Sequence, residues 1–185
     1  MIVYHGSDRY FRTLKVSINL SRTEASLLNE GLGIYFSTDK NVASHYGKYL
    51  YTLELNSRAI KDFRKSTTID MYIAKLVATV CNKFGIDLTA YINLGMLATN
   101  VYSGNISIDG LGREIILLLE SNERFYNDTP AYKQSRLFSF LTVYNSKNLY
   151  AYLFNYNIKG IGIIKNVRPE IVKIVKTEKV VEHKQ

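Results

Sequence analysis

The sequence predicts an α+β fold, and three stretches of different character carry that prediction. Residues 1–65 alternate and turn in the manner of β-strands, residues 68–156 place apolar side chains at helical spacing, and residues 158–185 return to strand character. Neither an internal repeat nor a Gly/Ser-rich linker divides the 185 residues. We therefore expect a single domain, 1–185, with a β core from both ends of the chain and a mainly helical middle.

The first stretch contains three short strand patterns and one helical turn. Apolar residues 1–4 lead into His-Gly-Ser, residues 33–37 read Gly-Ile-Tyr-Phe-Ser, and residues 49–55 read Tyr-Leu-Tyr-Thr-Leu-Glu-Leu. Between the last two, Thr38 or Asp39 is suited to cap a helical turn that places Ala43 and Tyr46 on one face.

The middle and the end of the chain are predicted from spacing and from turn residues. Helical patterns cover 69–80, 88–97 and 112–119, another begins after Pro130, and a short one covers 149–156. Strands are predicted at 158–164 and 171–175, with a third near 179–181.

Composition and charge narrow the class of protein. The chain carries a net charge of +8, and its last forty residues hold eight Lys or Arg against three Glu, which favours phosphate-bearing partners, although a solvated basic tail is an equally good interpretation. There is no signal-peptide pattern and no run of about 18 apolar residues. We expect a cytoplasmic protein that does not enter a membrane, with an unknown oligomeric state.

Several familiar chemistries are not supported by the sequence. The three histidines lack metal-ligand spacing and there is one cysteine, so no metal cofactor is predicted. The glycine pairs 110/112 and 160/162 lack the third glycine of a dinucleotide fingerprint, and neither a phosphate-binding Gly-Lys-Ser/Thr loop nor a Gly-x-Ser-x-Gly elbow occurs.

Three motifs in order remain. His5-Gly6-Ser7 ends the first strand, Gly31-Leu-Gly-Ile-Tyr35-Phe-Ser forms the second, and Tyr46 follows Tyr35 by eleven positions in a helical context. Any one of these is explained as well by a turn, a strand core residue or a helix packing residue. Their combination is the specific observation.

This combination resembles the diphtheria-toxin and poly(ADP-ribose)-polymerase branch of the ADP-ribosyltransferases, the His-Tyr-Glu group, over residues 2–56. In that group an Ala precedes the second tyrosine by three positions, and Ala43 matches it. The resemblance implies a split, mostly antiparallel β-sandwich core with NAD⁺ as co-substrate. Absence of any Glu-x-Glu argues against the arginine-directed toxin branch.

The resemblance also implies site roles. His5 would hydrogen-bond the adenosine ribose, the Gly6 backbone and Ser7 hydroxyl would hold the carboxamide, and Tyr35 and Tyr46 would sandwich the nicotinamide ring. Aromatic stacking and cation–π attraction suit a pyridinium between two tyrosines. Catalysis is assigned to His5, Tyr35 and a glutamate at the head of a C-terminal strand.

The identity of that glutamate stays open. Glu170 is the best candidate because it opens the strand predicted at 171–175. An alternative alignment, which takes 172–175 as the family's final strand, places Ile163 in the glutamate position; Glu114 and Glu54 are more remote candidates. The carboxylate would stabilise the oxocarbenium-like transition state electrostatically.

The sequence therefore predicts a mono-ADP-ribosyltransferase that cleaves NAD⁺ and modifies a protein or nucleic acid, as a bacterial or phage effector or toxin. Two alternatives remain: an RNA 2′-phosphotransferase on the same fold, for which the arginine set cannot be placed, and a non-catalytic module that binds NAD⁺, ADP-ribose or a partner.

Overall fold

A computed structural model describes residues 1–16, 33–155 and 160–180 of the chain. The chain divides into two compact units, one formed by Met1–Asp62 with Leu149–Gln185 and the other by Phe63–Asn148. Strands make up the first unit and helices the second, so the α+β class is confirmed. The predicted change from strands to helices near 65–68 agrees with the boundary between Asp62 and Phe63. The observed return to the strand-containing unit, at Leu149, comes earlier than the predicted return at residue 158.

The first unit, called the sheet unit below, contains every strand that the structure describes. In chain order its elements are β1 (Ile2–Ser7), β2 (Ile34–Ser37), the short helix α1 (Lys40–Ser44), β3 (Tyr49–Leu55), β4 (Ile60–Asp62), β5 (Ala151–Phe154), β6 (Ile161–Ile164) and β7 (Val172–Lys179). The strand predictions for β1, β2 and β3 are confirmed, and so is the helical turn at α1. The predicted strands at 171–175 and 179–181 merge into β7, while residues 158, 159 and 181 lie outside the described residues.

The strands pair in the order β4-β5-β6-β2-β1-β3-β7. β4 and β5 are parallel and the other pairs are antiparallel. β1 pairs with β3 along its whole length, but over the described residues it pairs with β2 only at Tyr4 and Ser37. The hydrogen bonding therefore forms one sheet with a narrow junction between two ladders, where the sequence predicted two packed sheets.

One predicted element is wrong in type. Residues 149–156 were expected to be helical, but Ala151–Phe154 form β5, and Tyr156 lies outside the described residues. All four residues of β5 are buried, and a short run of buried apolar residues has the same pattern in a strand and in a helix. Neighbours on both sides decide the outcome, because β4 and β6 supply hydrogen-bond partners for both edges of β5.

The second unit, called the helical unit, contains α2 (Ser66–Phe84), α3 (Leu94–Tyr102), α4 (Leu111–Glu120), α5 (Glu123–Asp128) and α6 (Ala131–Asn148). α2 buries the predicted periodic residues and ends where Gly85 adopts a left-handed conformation, φ 66°. The pattern over 88–97 does not form one helix. A 3₁₀ turn covers Leu88–Ala90, and α3 begins after its N-cap residue, Asn93. None of the described helices is long and apolar enough to cross a membrane.

The sheet unit has two differently used faces, because side chains alternate along each strand. The core face carries a buried apolar cluster that includes Val3, Phe36, Tyr51 and Leu53. We call the opposite side the helix face because α1 packs there against Gly6. Because α1 packs over β1 on this side, we expect the predicted site on the helix face.

Candidate functional site

A row of residues crosses the helix face at the level of Gly6. Gly6 lies opposite Leu50 on β3, which lies opposite Glu178 on β7. On the other side, the Tyr4–Ser37 register places Tyr35 across the junction from Gly6, and Tyr35 lies opposite Ile163 on β6. Directly opposed residues of antiparallel strands share a face. We call this set the Gly6 row.

Gly6 lets α1 approach the sheet as closely as backbone can. The helix begins at Asp39, whose carboxylate accepts a hydrogen bond from the Asn41 N–H at 2.8 Å, and it buries Ala43. A Cβ on Gly6 would lie 2.1 Å from the Ala43 carbonyl oxygen and 3.0 Å from the Tyr46 Cβ. Any side chain at position 6 would therefore displace the helix and Tyr46 with it.

The two predicted tyrosines start from neighbouring points on the helix face. Tyr46 follows α1, begins beside Gly6 and leaves 47% of its surface exposed. Tyr35 is half-buried and lies on β2, two residues before Ser37, which forms the one described pair with β1. The structure thus places Tyr46 beside Gly6 and puts Tyr35 on the same face of the neighbouring strand.

His5 turns to the core face, away from the two tyrosine side chains. Its Nδ1 donates a hydrogen bond to the Tyr35 carbonyl oxygen at 2.6 Å, which joins the two ladders beside their one described backbone pair. Since a carbonyl can only accept, Nδ1 carries the hydrogen. Burial lowers the pKa of His5, and the bond to Tyr35 offsets only part of that effect. The ring is therefore neutral at pH 7, and its Nε2 is an acceptor.

Two aromatic rings that the sequence analysis missed hold His5 in place. The Phe11 and Tyr51 rings lie 5.9 and 6.0 Å from the imidazole and stack on each other at 4.0 Å. The Tyr51 hydroxyl accepts from the Phe11 N–H at 2.9 Å and donates to the Arg9 carbonyl at 3.2 Å, which fixes the segment after β1. Alternation along 49–55 could have identified Tyr51, because it lies opposite His5. Nothing in the local sequence indicates Phe11.

Ser7 is also on the core face, opposite Tyr49. Its hydroxyl accepts a hydrogen bond from the Arg9 N–H at 3.1 Å, so it helps to turn the chain after β1. Of the five residues predicted to bind the co-substrate, Gly6, Tyr35 and Tyr46 share the helix face, whereas the side chains of His5 and Ser7 do not.

Glu170, the predicted catalytic acid, is not brought to this site. It lies before β7, its side chain is 64% exposed, and its carboxylate is 3.8 Å from Arg168. Its carbonyl accepts from the Asn56 side chain, directly after the end of β3. Gly6 faces Leu50 near the other end of β3, five residues away, which corresponds to about 17 Å along a strand.

The alternatives to Glu170 are distributed as follows. Ile163 is fully buried beside Tyr35 in the Gly6 row, and the last described strand does begin at Val172, as the alternative alignment required. Glu54 forms an ion pair with Lys173 at 2.6 Å, level with Ile2. Glu114 belongs to the helical unit, where it lines a cavity of about 440 Å³.

Glu178 is a carboxylate that sequence reasoning missed. It occupies the Gly6 row and lies 3.1 Å from the Lys40 ammonium at the start of α1 and 2.8 Å from Lys176. Hydrogen bonds from these lysines hold the pKa of Glu178 below its usual value, so the group stays ionised at neutral pH. The pair with Lys40 also ties α1 to the outer strand of the sheet. No local signal in the sequence identifies Glu178, because its place depends on the register of β7 against β3.

In the part of the chain that the structure describes, no group of three or more His, Cys, Asp or Glu side chains is placed to hold a metal ion. Comparison with known proteins adds no relative, since no family model, curated protein or solved structure matches this chain.

Proposed function

We propose that the sheet unit binds NAD⁺ on its helix face and transfers a single ADP-ribose to a macromolecular acceptor. The observation that carries this proposal is the contact of Gly6 with Tyr46, with Tyr35 on the same face of the sheet; all three are residues of the motifs that resemble the His-Tyr-Glu ADP-ribosyltransferases. The narrow junction between β1 and β2 supports it as well, because the resemblance implies a split β core.

The chemistry of these residues suits a nicotinamide ring. Gly6 leaves the strand backbone uncovered, so a carboxamide can reach its N–H and C=O groups. Tyr35 and Tyr46 can stack on the ring, at roughly 1 kcal/mol each, and their faces attract the positive charge of the pyridinium. His5 is on the core face and does not share this surface; its hydrogen bond to the Tyr35 carbonyl oxygen instead positions the strand that carries Tyr35.

The reaction breaks the bond between nicotinamide and C1 of its ribose, and the bonding electrons leave with nicotinamide. The acceptor nucleophile then bonds to that carbon and releases a proton to solvent. Negative charge beside the ribose stabilises the cationic transition state. Glu178 is the described carboxylate in the Gly6 row, and we therefore propose it, in place of Glu170, as the group that supplies this charge.

A second candidate function rests on Ile163. If the fully buried Ile163 occupies the glutamate position beside Tyr35, the same face forms a non-catalytic module that binds NAD⁺ or ADP-ribose. Binding and turnover then separate the two candidates, because stacking on the tyrosines is a ground-state interaction and needs no carboxylate.

The deciding experiment measures NAD⁺ binding by calorimetry and nicotinamide release by chromatography on the same purified protein. The transferase predicts both, the binding module predicts binding without release, and a chain that does not bind NAD⁺ would refute both proposals. Tyr46→Ala should weaken binding about 5-fold, the equivalent of one lost stacking contact. Since the ring is exposed, the same change should leave the melting temperature nearly unchanged.

A further inference from the structure

A basic and aromatic corner lies at the end of β1 on the core face of the sheet unit. There Ser7, Tyr49 and Lys179 are opposed across three neighbouring strands. The Tyr10 ring packs edge-to-face on Tyr49, with the ring centroids 5.5 Å apart. We call the set Arg9, Tyr10, Lys48, Tyr49 and Lys179 the Tyr10 corner.

The backbone holds this corner together. Lys48 precedes β3, and its carbonyl oxygen accepts a hydrogen bond from the Val180 N–H at 2.7 Å, just beyond Lys179. Arg9 is placed by two bonds: its N–H donates to the Ser7 hydroxyl and its carbonyl accepts from the Tyr51 hydroxyl. The charged side chains therefore project from backbone whose positions are defined.

The cations of the Tyr10 corner differ from the lysines further along β7. Lys173 lies 2.6 Å from Glu54, and Lys176 lies 2.8 Å from Glu178, which it shares with Lys40, so each has a carboxylate at ion-pair distance. Arg9, Lys48 and Lys179 are exposed, and none of them has a carboxylate within 4.0 Å among the residues that the structure describes.

Exposed Asp8 offsets one of the three positive charges, which leaves a net positive corner. The basic excess of the last forty residues, which the sequence analysis associated with phosphate-bearing partners, includes Lys165, Arg168, Lys173 and Lys176. Three of these four have a carboxylate within ion-pair distance in the structure. Along β7, the lysine without a carboxylate within ion-pair distance among the described residues is thus Lys179, at the opposite end of the strand from Lys173.

Cations without an ion-pair partner among the described residues, next to the exposed Tyr10, match the two parts of a single-stranded nucleic acid. Phosphates attract the cations, and an unpaired base presents a flat face that stacks on an aromatic ring. Tyr10 leaves 57% of its surface exposed while Tyr49 supports it from the side. A duplex would offer only its phosphates, because its bases are stacked on one another.

We propose that the Tyr10 corner binds single-stranded nucleic acid. Lys48 follows Tyr46 by two residues, and Gly47 between them lies against the Ser7 carbonyl carbon, so the Tyr10 corner and the candidate NAD⁺ site both adjoin the end of β1, on opposite faces of the sheet. On the basis of the proposed function, this names single-stranded nucleic acid as the acceptor class.

The test is fluorescence anisotropy with labelled oligo(dT) and oligo(U) of about 12 nucleotides, without NAD⁺. Three phosphate contacts predict a slope of about −2 in the plot of log affinity against log salt. Lys179→Gln should make that slope shallower by about 0.7. The matched control Lys173→Gln, on the same strand but ion-paired, should leave the slope unchanged. Tyr10→Ala should weaken binding about 5-fold or more.

Three results would overturn the inference: duplex competing as well as the single strand, identical slopes for Lys179→Gln and wild type, or displacement by polyglutamate at equal charge. The last would indicate an acidic protein partner instead. Comparison of oligo(dT) with oligo(U) decides between DNA and RNA. Because the assay contains no NAD⁺, its failure is distinct from failure of NAD⁺ binding or nicotinamide release.

Discussion

Gly6→Ala is the substitution that tests the site most directly. The added Cβ would lie 2.1 Å from the Ala43 carbonyl oxygen, more than 1 Å inside the 3.4 Å at which ordinary contact begins. The obstacle is helix backbone, which cannot rotate away as a side chain can. α1 must therefore move outward or β1 must bend, and Tyr46 moves with the end of the helix.

The expected magnitude follows from that overlap. Overpacking of this kind costs about 1–3 kcal/mol of unfolding free energy. For a chain of this length each kcal/mol lowers the melting temperature by about 2–4 °C. Displacing Tyr46 by about 1 Å should also weaken NAD⁺ binding by an order of magnitude, because stacking and the Gly6 contacts both depend on that distance.

Calorimetry of NAD⁺ binding and thermal denaturation of the same variant would check both effects. Gly95→Ala in α3 is the matched control, since its Cβ would have only the Asn93 side-chain oxygen nearby, at an ordinary 3.5 Å. That variant should be equally or more stable, because Ala favours a helix by up to about 1 kcal/mol over Gly. A Gly6→Ala protein with wild-type stability and wild-type NAD⁺ affinity would refute the argument that α1 and Gly6 form the site.

Three further predictions concern charge and burial. Glu178→Gln should lower nicotinamide release about 10²-fold, whereas Glu170→Gln should leave it within about 2-fold. Lys40→Gln breaks the ion pair with Glu178 but keeps the carboxylate. An equal loss of nicotinamide release in Lys40→Gln would mean that Glu178 is a positioning residue. Because the folded-state pKa of His5 is below its ordinary 6.5, the unfolded chain binds the proton more readily, so stability should fall as pH decreases through 6.5 and be constant above about 7.5. His5→Gln should remove part of this pH dependence in denaturation curves, while His45→Gln, with the same 2.6 Å Nδ1 bond on an exposed side chain, should keep it. In the helical unit, Tyr72→Phe leaves the buried Asn145 oxygen without the 2.6 Å hydrogen bond it accepts, and urea titration should show a loss of about 1–3 kcal/mol, with no loss counting against the buried bond.

Local pattern was enough to predict the elements whose residues decide their own structure. Tyr51–Leu55 alternates between buried and half-buried residues, and the strand Tyr49–Leu55 has the predicted bounds. α1 is short, but Asp39 satisfies its first free N–H, so its start was predictable from one side chain. α2 needed only helical spacing and a glycine that can adopt a positive φ at its end.

Long-range contacts decided what the sequence pattern left ambiguous. Ala151–Phe154 is equally apolar as a helix or a strand, and pairing with β4 and β6 makes it a strand. The end of the sheet at which Glu170 lies depends on the register of β7 against β3, which no local signal encodes. For the same reason Glu178 enters the Gly6 row although it is 172 positions from Gly6 in the sequence.

By itself, the sequence determined the α+β class, the order of strands and helices in most of the chain, and the motifs around Gly6, Tyr35 and Tyr46. These follow from backbone propensity and side-chain periodicity, which act over a few residues. Only the tertiary structure decided that His5 points to the core face and bridges the two ladders, that α1 rests on Gly6, and which lysines are neutralised. Each of those depends on strand register and helix packing, and a shift of one residue would move every side chain of a strand to the other face.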